Sequence, residues 1–151
     1  MENELPGKFL ATFHRFKKLD MTPIMEGLSP GEAQLLTVIE CKEKEEKIRV
    51  SAIAERMKVS TPAVSRMLKK LEEQGLIERS IDKEDRRNTY VKTTGKGEEL
   101  VKKIKHNLHD FAGSVLLQMK EEDYERAITF LNELYDAAEE KLSQIRKEQQ
   151  K

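Results

Sequence analysis

Residues 51–79 read SAIAERMKVSTPAVSRMLKKLEEQGLIER, and this stretch decides the fold. Its second half, from Ser60 to Gly75, has the pattern of a helix with two unlike faces. Val64, Leu68 and Leu71 fall at i, i+4 and i+7, so they share one apolar stripe, with Met67 at its edge. The other face begins with small or hydroxyl-bearing residues (Ser60, Thr61, Pro62, Ala63, Ser65) and continues with the cations Arg66, Lys69 and Lys70. Gly75 ends the helix as a C-cap, and Leu76 supplies the apolar contact such caps use. The first half, AIAERMK, is a helix too short to be stable alone. Ser51 is its expected cap, and only the link VS separates it from the second helix. Ile53, Ala54, Val59, Val64 and Leu68 form the shared interior, and the small Ala54 lets two helices approach closely. That is a helix-turn-helix layout.

A helix entering the DNA major groove needs such features in this order. Small side chains at its N-terminus let it come close to base edges, and its free N–H groups attract phosphate. Thr61 or Ser65 can hydrogen-bond bases or phosphates, and Arg66 can grip a guanine with two hydrogen bonds. Lys69 and Lys70 are expected to hold the phosphate backbone without reading sequence.

Immediately downstream, LIERSI and TYVKT are strand-like pieces flanking DKEDRRN, a β-hairpin with a long charged tip. Lys83, Arg86 and Arg87 make that tip suited to a narrow, A·T-rich minor groove, where negative potential concentrates. Asp85, two residues before Arg87, is placed to fix its guanidinium by a bidentate pair. Upstream, Ser29 and Glu32 form a capping box with Pro30 in the first helical turn, and Leu35, Leu36 and Ile39 carry that helix's core face. KEKEEK ends it, and IRV (48–50) reads as a short strand. A winged helix-turn-helix lobe is therefore expected over 29–96.

The flanks, 1–28 and 97–151, read as a helical dimerisation region. Leu5, Phe9, Phe13 and Phe16 recur at helical spacing near the N-terminus. Thr94 opens a long helix on which Val101, Ile104, Leu108, Phe111 and Val115 alternate by three and four residues. Tyr124, Ile128, Leu131, Tyr135, Ala138, Leu142 and Ile145 do the same on a last helix. A heptad seam suits helices that wrap one another, here between two copies of the chain. The fold class is mainly α with a small β-hairpin wing.

Composition agrees. Charged and apolar residues each make up 37% of the 151 residues, with 5% aromatics and no Trp, which favours amphipathic helices over a sandwich. The formal net charge is zero, but residues 51–96 hold 11 Lys/Arg against 7 Asp/Glu, a basic middle between acidic flanks that attracts phosphate. One cysteine makes no internal disulfide, no leader precedes the first helix, and no apolar run approaches membrane length, so the chain is expected in the cytoplasm. Gly-x-Ser-x-Gly, Walker-type and His-Glu-x-x-His motifs are missing, and TTGKGEE has no nucleotide-binding spacing, which argues against an enzyme. No cofactor is implied. A winged helix that serves only as a protein-interaction module would carry apolar residues where Arg66, Lys69 and Lys70 stand.

The pieces SAIAERMKVSTPAVSRMLKKLEEQGLIER and DKEDRRNTYVKTTGKG together resemble the MarR family of winged-helix transcription regulators. The second piece is similar to that family's wing signature, an Asp-x-Arg followed by a strand, Leu-Thr and a Gly. Thr93 departs from it, standing where the family usually has Leu, and is expected to loosen the packing of the wing strand. The resemblance implies an obligate homodimer on double-stranded DNA, with Leu5, Phe9, Phe13, Tyr124, Ile128, Leu131, Tyr135 and Leu142 among the interlocking residues. It also implies repression from a pseudopalindromic operator, relieved by a small organic effector or an oxidant. A crevice lined by Phe13, Phe16, Met21, Met25 and Phe111 is the candidate effector pocket, although at these spacings plain core is the simpler assignment. Cys41 is the candidate redox sensor, with its thiol off the core face. His106 and His109, three apart, with His14 as a third, are the candidate metal ligands.

Overall fold

The computed structural model describes residues 4–41, 47–85 and 87–149. They form six helices and three strands: α1 (Leu5–Lys17), α2 (Pro30–Glu40), β1 (Ile48–Arg49), α3 (Val50–Met57), α4 (Thr61–Glu73), β2 (Ile77–Ile81), β3 (Thr89–Thr93), α5 (Gly95–Leu116) and α6 (Glu121–Gln149). Two compact units result, residues 1–108 and 109–151.

The first unit holds the lobe. Its sheet runs in the order β1-β3-β2, all antiparallel. Ile48 pairs with Val91 and Arg49 with Tyr90, while β2 and β3 register Ile77 to Thr93 and Ile81 to Thr89. Leu28, Leu35, Leu36, Ile39, Ile53, Val64, Leu68, Leu71, Leu76, Ile77 and Val91 fill one core between the helices and one face of this sheet. Thr93 is buried and keeps its pairing with Ile77, so the polar substitution does not open the strand there.

Caps place the helices. The box on α2 is complete: the Ser29 N–H donates to Glu32 Oε2 at 2.9 Å, and the Glu32 N–H to Ser29 Oγ at 3.3 Å. Helix α3 starts two residues earlier than expected. Its N-cap is Arg49, extended at ψ 142°, so the strand passes straight into the helix and Ser51 lies inside the first turn. The end of α4 is a full Schellman turn. Gly75 sits at φ +69°, its N–H donates to the Glu72 carbonyl, and the Leu76 N–H donates to the Leu71 carbonyl.

Helix α5 docks onto that turn. Thr94 is its cap, accepting the Gly97 N–H at 3.1 Å. Thr94 also donates twice to the end of α4, from its hydroxyl to the Gly75 carbonyl at 2.8 Å and from its N–H to the Leu76 carbonyl at 3.1 Å. The Lys96 ammonium adds a bond to the Gln74 carbonyl at 2.8 Å. Gly97 is needed for this approach, because a Cβ there would overlap the Leu76 carbonyl.

The α5 seam divides. Val101 and Ile104 are buried in the lobe core and Leu108 packs against it, so these three are lobe residues rather than dimer residues. Further along, Phe111 and Val115 are exposed. The periodicity is the same for both parts, and only the presence of the lobe core beside the first turns separates them. In the second unit α6 buries none of its residues, and Ile128, Leu131, Tyr135, Leu142 and Ile145 lie on its surface. Helix α1 likewise has no buried residue; Leu5, Phe9, Phe13 and Phe16 are exposed, with the Phe9 and Phe13 rings stacked 6.2 Å apart.

Two glycines of the α4–α5 corner should respond differently to a methyl group. Gly75→Ala is expected to cost about 1–2 kcal/mol, the penalty of the left-handed backbone, since its surroundings are open. Gly97→Ala should cost more than Gly75→Ala and shift the urea midpoint further, because the Leu76 carbonyl it meets is held by two helices.

Candidate nucleic-acid interface

Helix α4 buries Val64, Leu68 and Leu71 completely, which turns its other face outward. Ser60 caps it by accepting the Ala63 N–H at 3.4 Å, leaving the first turn exposed with Thr61 and Pro62 at the surface. Ala63 is half-buried, and Ser65 and Arg66 are exposed. The sequence-predicted face is therefore assembled on one side of one helix. Lys69 lies beside Glu73, 3.9 Å away, in an exposed pair of the kind that contributes little.

Lys70 has a different setting. Its ammonium lies 2.8 Å from Oε1 of Glu32, whose side chain is only 8% exposed. The capping residue of α2 thus also holds α4. Burial acts to raise the Glu32 pKa, but the bonds from Lys70 and from Ser29 outweigh it and hold the carboxyl below its ordinary value. Two positions on, Glu72 Oε2 lies 2.9 Å from Arg79 Nε of β2, a close ion pair whose N–H is not aimed for a hydrogen bond. Neither pairing was read from the sequence, because 32 and 70, or 72 and 79, share no element and no periodicity.

The hairpin tip is folded by its own carboxylates. Asp82 Oδ1 accepts the Glu84 N–H at 2.8 Å and the Asp85 N–H at 3.4 Å. Asp85 accepts the Arg87 N–H at 3.0 Å, and its other oxygen accepts from the Asn88 amide at 3.4 Å. The expected bidentate Asp85–Arg87 pair is not formed. Arg87 Nε stands 3.8 Å from a single oxygen and its side chain is 95% exposed, because the carboxylate is already engaged with backbone. Lys83 is exposed at the same tip. Arg86 lies outside the described residues.

Near the loop end of the β2–β3 ladder, Tyr90 organises a cluster that sequence reasoning missed. Its hydroxyl accepts from Arg49 Nε at 3.0 Å, and the Lys47 ammonium stands 4.4 Å from its ring centroid. The Asp82 carboxyl is held below its ordinary value, first by the Glu84 N–H and further by the Asp85 N–H, the Tyr90 hydroxyl and the charge of Lys47. The register of Arg49 with Tyr90 is the sheet pairing that brings these groups together.

The other candidates lie on several elements of the two units. Phe16 borders a shallow concavity with Thr12, Arg15 and Leu19, Met25 packs on the lobe core, and Phe111 belongs to the second unit. Cys41 is an exposed thiol at the C-cap of α2 that donates to the Glu40 carboxylate at 3.7 Å. His109 is exposed next to Asp110, and His14 and His106 are also on the surface. Among the described residues no three His, Cys, Asp or Glu side chains come together as a metal site, and no helix is long and apolar enough to cross a membrane.

The connector from α1 to α2 is tied to α5 in the same unit. Glu26, at φ +54°, accepts from Lys103 Nζ at 2.7 Å and from the Asn107 amide at 2.8 Å. These bonds hold its carboxyl below the ordinary value, Lys103 contributing most.

Residues 28–89 match the family model described as MarR family, a span running from the start of α2 into β3. The uncharacterised HTH-type transcriptional regulator YdgJ of Bacillus subtilis (strain 168) is 29% identical over 97 residues, 64% of this chain and 57% of that protein, so the chain spans little over half its length. The YusO protein of Bacillus subtilis superposes with a TM-score of 0.67 at 26% identity, over 89% of this chain and 94% of that one. Streptococcus pneumoniae FabT, solved in complex with DNA, has the same fold, with a TM-score of 0.67 at 21% identity over 91% of this chain and 97% of that one.

Glu26 and Glu32 both have an ordinary pKa of 4.5 that folding lowers. Each therefore adds stability that is complete above pH 4.5 and is lost as pH falls through the lower, folded value. Urea midpoints followed from neutral pH downward should hold until that range and then fall. Glu26→Gln should make the fall shallower, and an unaltered acid limb would remove the latch from the account.

Proposed function

We infer that this chain, whose residues 28–89 belong to the MarR family, is a DNA-binding transcription regulator that works as a homodimer. One observation carries the reading. A helix anchored by the buried Val64, Leu68 and Leu71 presents a face that is small and hydroxyl-bearing at its N-terminus and cationic at Arg66, next to a hairpin whose tip extends Arg87 into solvent. The N-terminal part of α4, with Thr61, Ser65 and Arg66, reads base edges in the major groove, and Lys83 and Arg87 follow the minor groove beside it. The DNA complex of FabT supports the assignment by its shared fold.

The dimer rests on exposed apolar surface. Leu5, Phe9 and Phe13 on α1, and Ile128, Leu131, Tyr135 and Leu142 on α6, are more than a monomer leaves in contact with water without reason. Two lobes on a two-fold axis place their α4 helices about one DNA turn apart, roughly 34 Å, on a pseudopalindrome. Bound there the protein blocks a promoter in the cytoplasm and acts as a repressor. A small organic molecule that alters the spacing of the lobes releases it, because reading two half-sites requires both helices in register at once.

Selection of bound duplexes from a random pool at near-physiological salt tests this. An inverted repeat with half-site centres about 10 bp apart is expected. Recovery of sequence-blind binding alone would overturn specific recognition. On the recovered site, Arg66→Ala should cost about 1–3 kcal/mol and relax one base position. Arg87→Ala should remove a preference for A·T-rich flanks and leave the half-sites unchanged. Leu131→Asp should give monomers by sedimentation that bind the full site weakly; a stable dimer would refute the α6 assignment.

A further inference from the structure

Among the cations on the outward side of α4, Lys70 is held by a partner inside the protein. We propose that Glu32 is a specificity-determining residue that acts through Lys70: it withdraws this cation from the DNA phosphates and commits it to holding α4 on α2. The inference rests on the DNA-binding reading above and changes the assignment of a residue that the sequence placed among the phosphate contacts.

Glu32 has both oxygens committed. Oε2 accepts the Ser29 N–H at 2.9 Å and Oε1 receives the Lys70 ammonium at 2.8 Å. The side chain is nearly sealed from water, so if Lys70 swung away to a phosphate, a carboxylate would be left without its counter-charge in a poorly hydrated site. That penalty opposes any gain at the DNA. Lys69 faces no such barrier, since Glu73 is exposed and 3.9 Å away, and water can take the place of either partner. Lys70 and Lys69 are adjacent in sequence and alike in chemistry, and their partners separate them.

The consequence is for specificity. A lysine on a phosphate adds affinity for every sequence equally, whereas Arg66 and Ser65 add affinity only for the correct bases. Neutralising Lys70 internally keeps the sequence-blind part of binding low. The Glu72–Arg79 pair does the corresponding work on the other flank of the helix, so α4 is held against both α2 and β2 by charges that do not face bases.

The test is the salt dependence of binding, measured on the selected operator and on a random duplex. Lys70→Met keeps the aliphatic stem and removes the charge; its slope of log affinity against log salt should equal that of the unmodified protein. Glu32→Gln keeps the acceptor for the Ser29 N–H and frees Lys70; its slope should steepen by about 1.8 for the dimer, one phosphate contact of about 0.9 from each protomer. Its random-duplex affinity should rise more than its operator affinity, lowering the ratio of the two. The double variant should return to the original slope. A Lys70→Met slope shallower by about 1.8 for the dimer, or a Glu32→Gln slope and ratio both unchanged, would overturn the proposal alone. An unmodified protein with no salt-sensitive duplex binding would overturn the DNA-binding reading and this inference together. Far-ultraviolet circular dichroism on each variant confirms that the folded form is being compared.

Discussion

The Schellman turn satisfies the Leu71 and Glu72 carbonyls of α4, and how the three carbonyls that follow the helix are satisfied sets the rest of the lobe. Gln74, Gly75 and Leu76 all hand their carbonyls to the start of α5, through Lys96, the Thr94 hydroxyl and the Thr94 N–H. Helix α4, the residue that leads into β2 and the first turn of α5 are thereby one corner. Leu76 is its pivot: it closes the Schellman turn, leads directly into β2 and lies against Gly97. Thr94 and Gly97 of the α5 start are thus in direct contact with the turn that ends α4.

Charge within the lobe is sorted by depth. The basic excess of residues 51–96 looks like a single patch in sequence, but several of its cations are committed internally: Lys70 to Glu32, Arg79 to Glu72, and Lys92 to Glu78 at 3.1 Å. Arg66 on α4 and Lys83 and Arg87 at the hairpin tip are among the cations that face outward. Acidic side chains are used in the same way, as caps and turn formers, with Glu32, Asp82 and Asp85 each accepting backbone N–H groups. Their lowered pKa values follow from those bonds for Glu32 and Asp82.

Much of the site was legible because its signals are local. The stripe of Val64, Leu68 and Leu71, the capping box of Ser29 and Glu32, and the glycine after α4 each involve residues within one or two helical turns. Misreadings came where a local rule had a competitor. Ser51 is a good cap residue, but β1 passes into α3 without a break and Arg49 takes the cap position. Asp85 is near enough to Arg87 for a bidentate pair, but the backbone N–H is nearer and claims the oxygen. The heptad on α5 is real as a pattern, yet Val101 and Ile104 spend it on the lobe core.

By itself the sequence determined the elements, their order and which face of each is apolar, because helical and strand periodicities act between neighbours along the chain. It also determined that the outer face of α4 begins small and becomes cationic. Tertiary structure alone decided which cations are available at that face. Glu32 and Lys70 are 38 positions apart, and Arg49 and Tyr90 meet only because β1 pairs with β3. Electrostatic partners depend on distance in space and on burial, and neither is written in the spacing of residues along a chain.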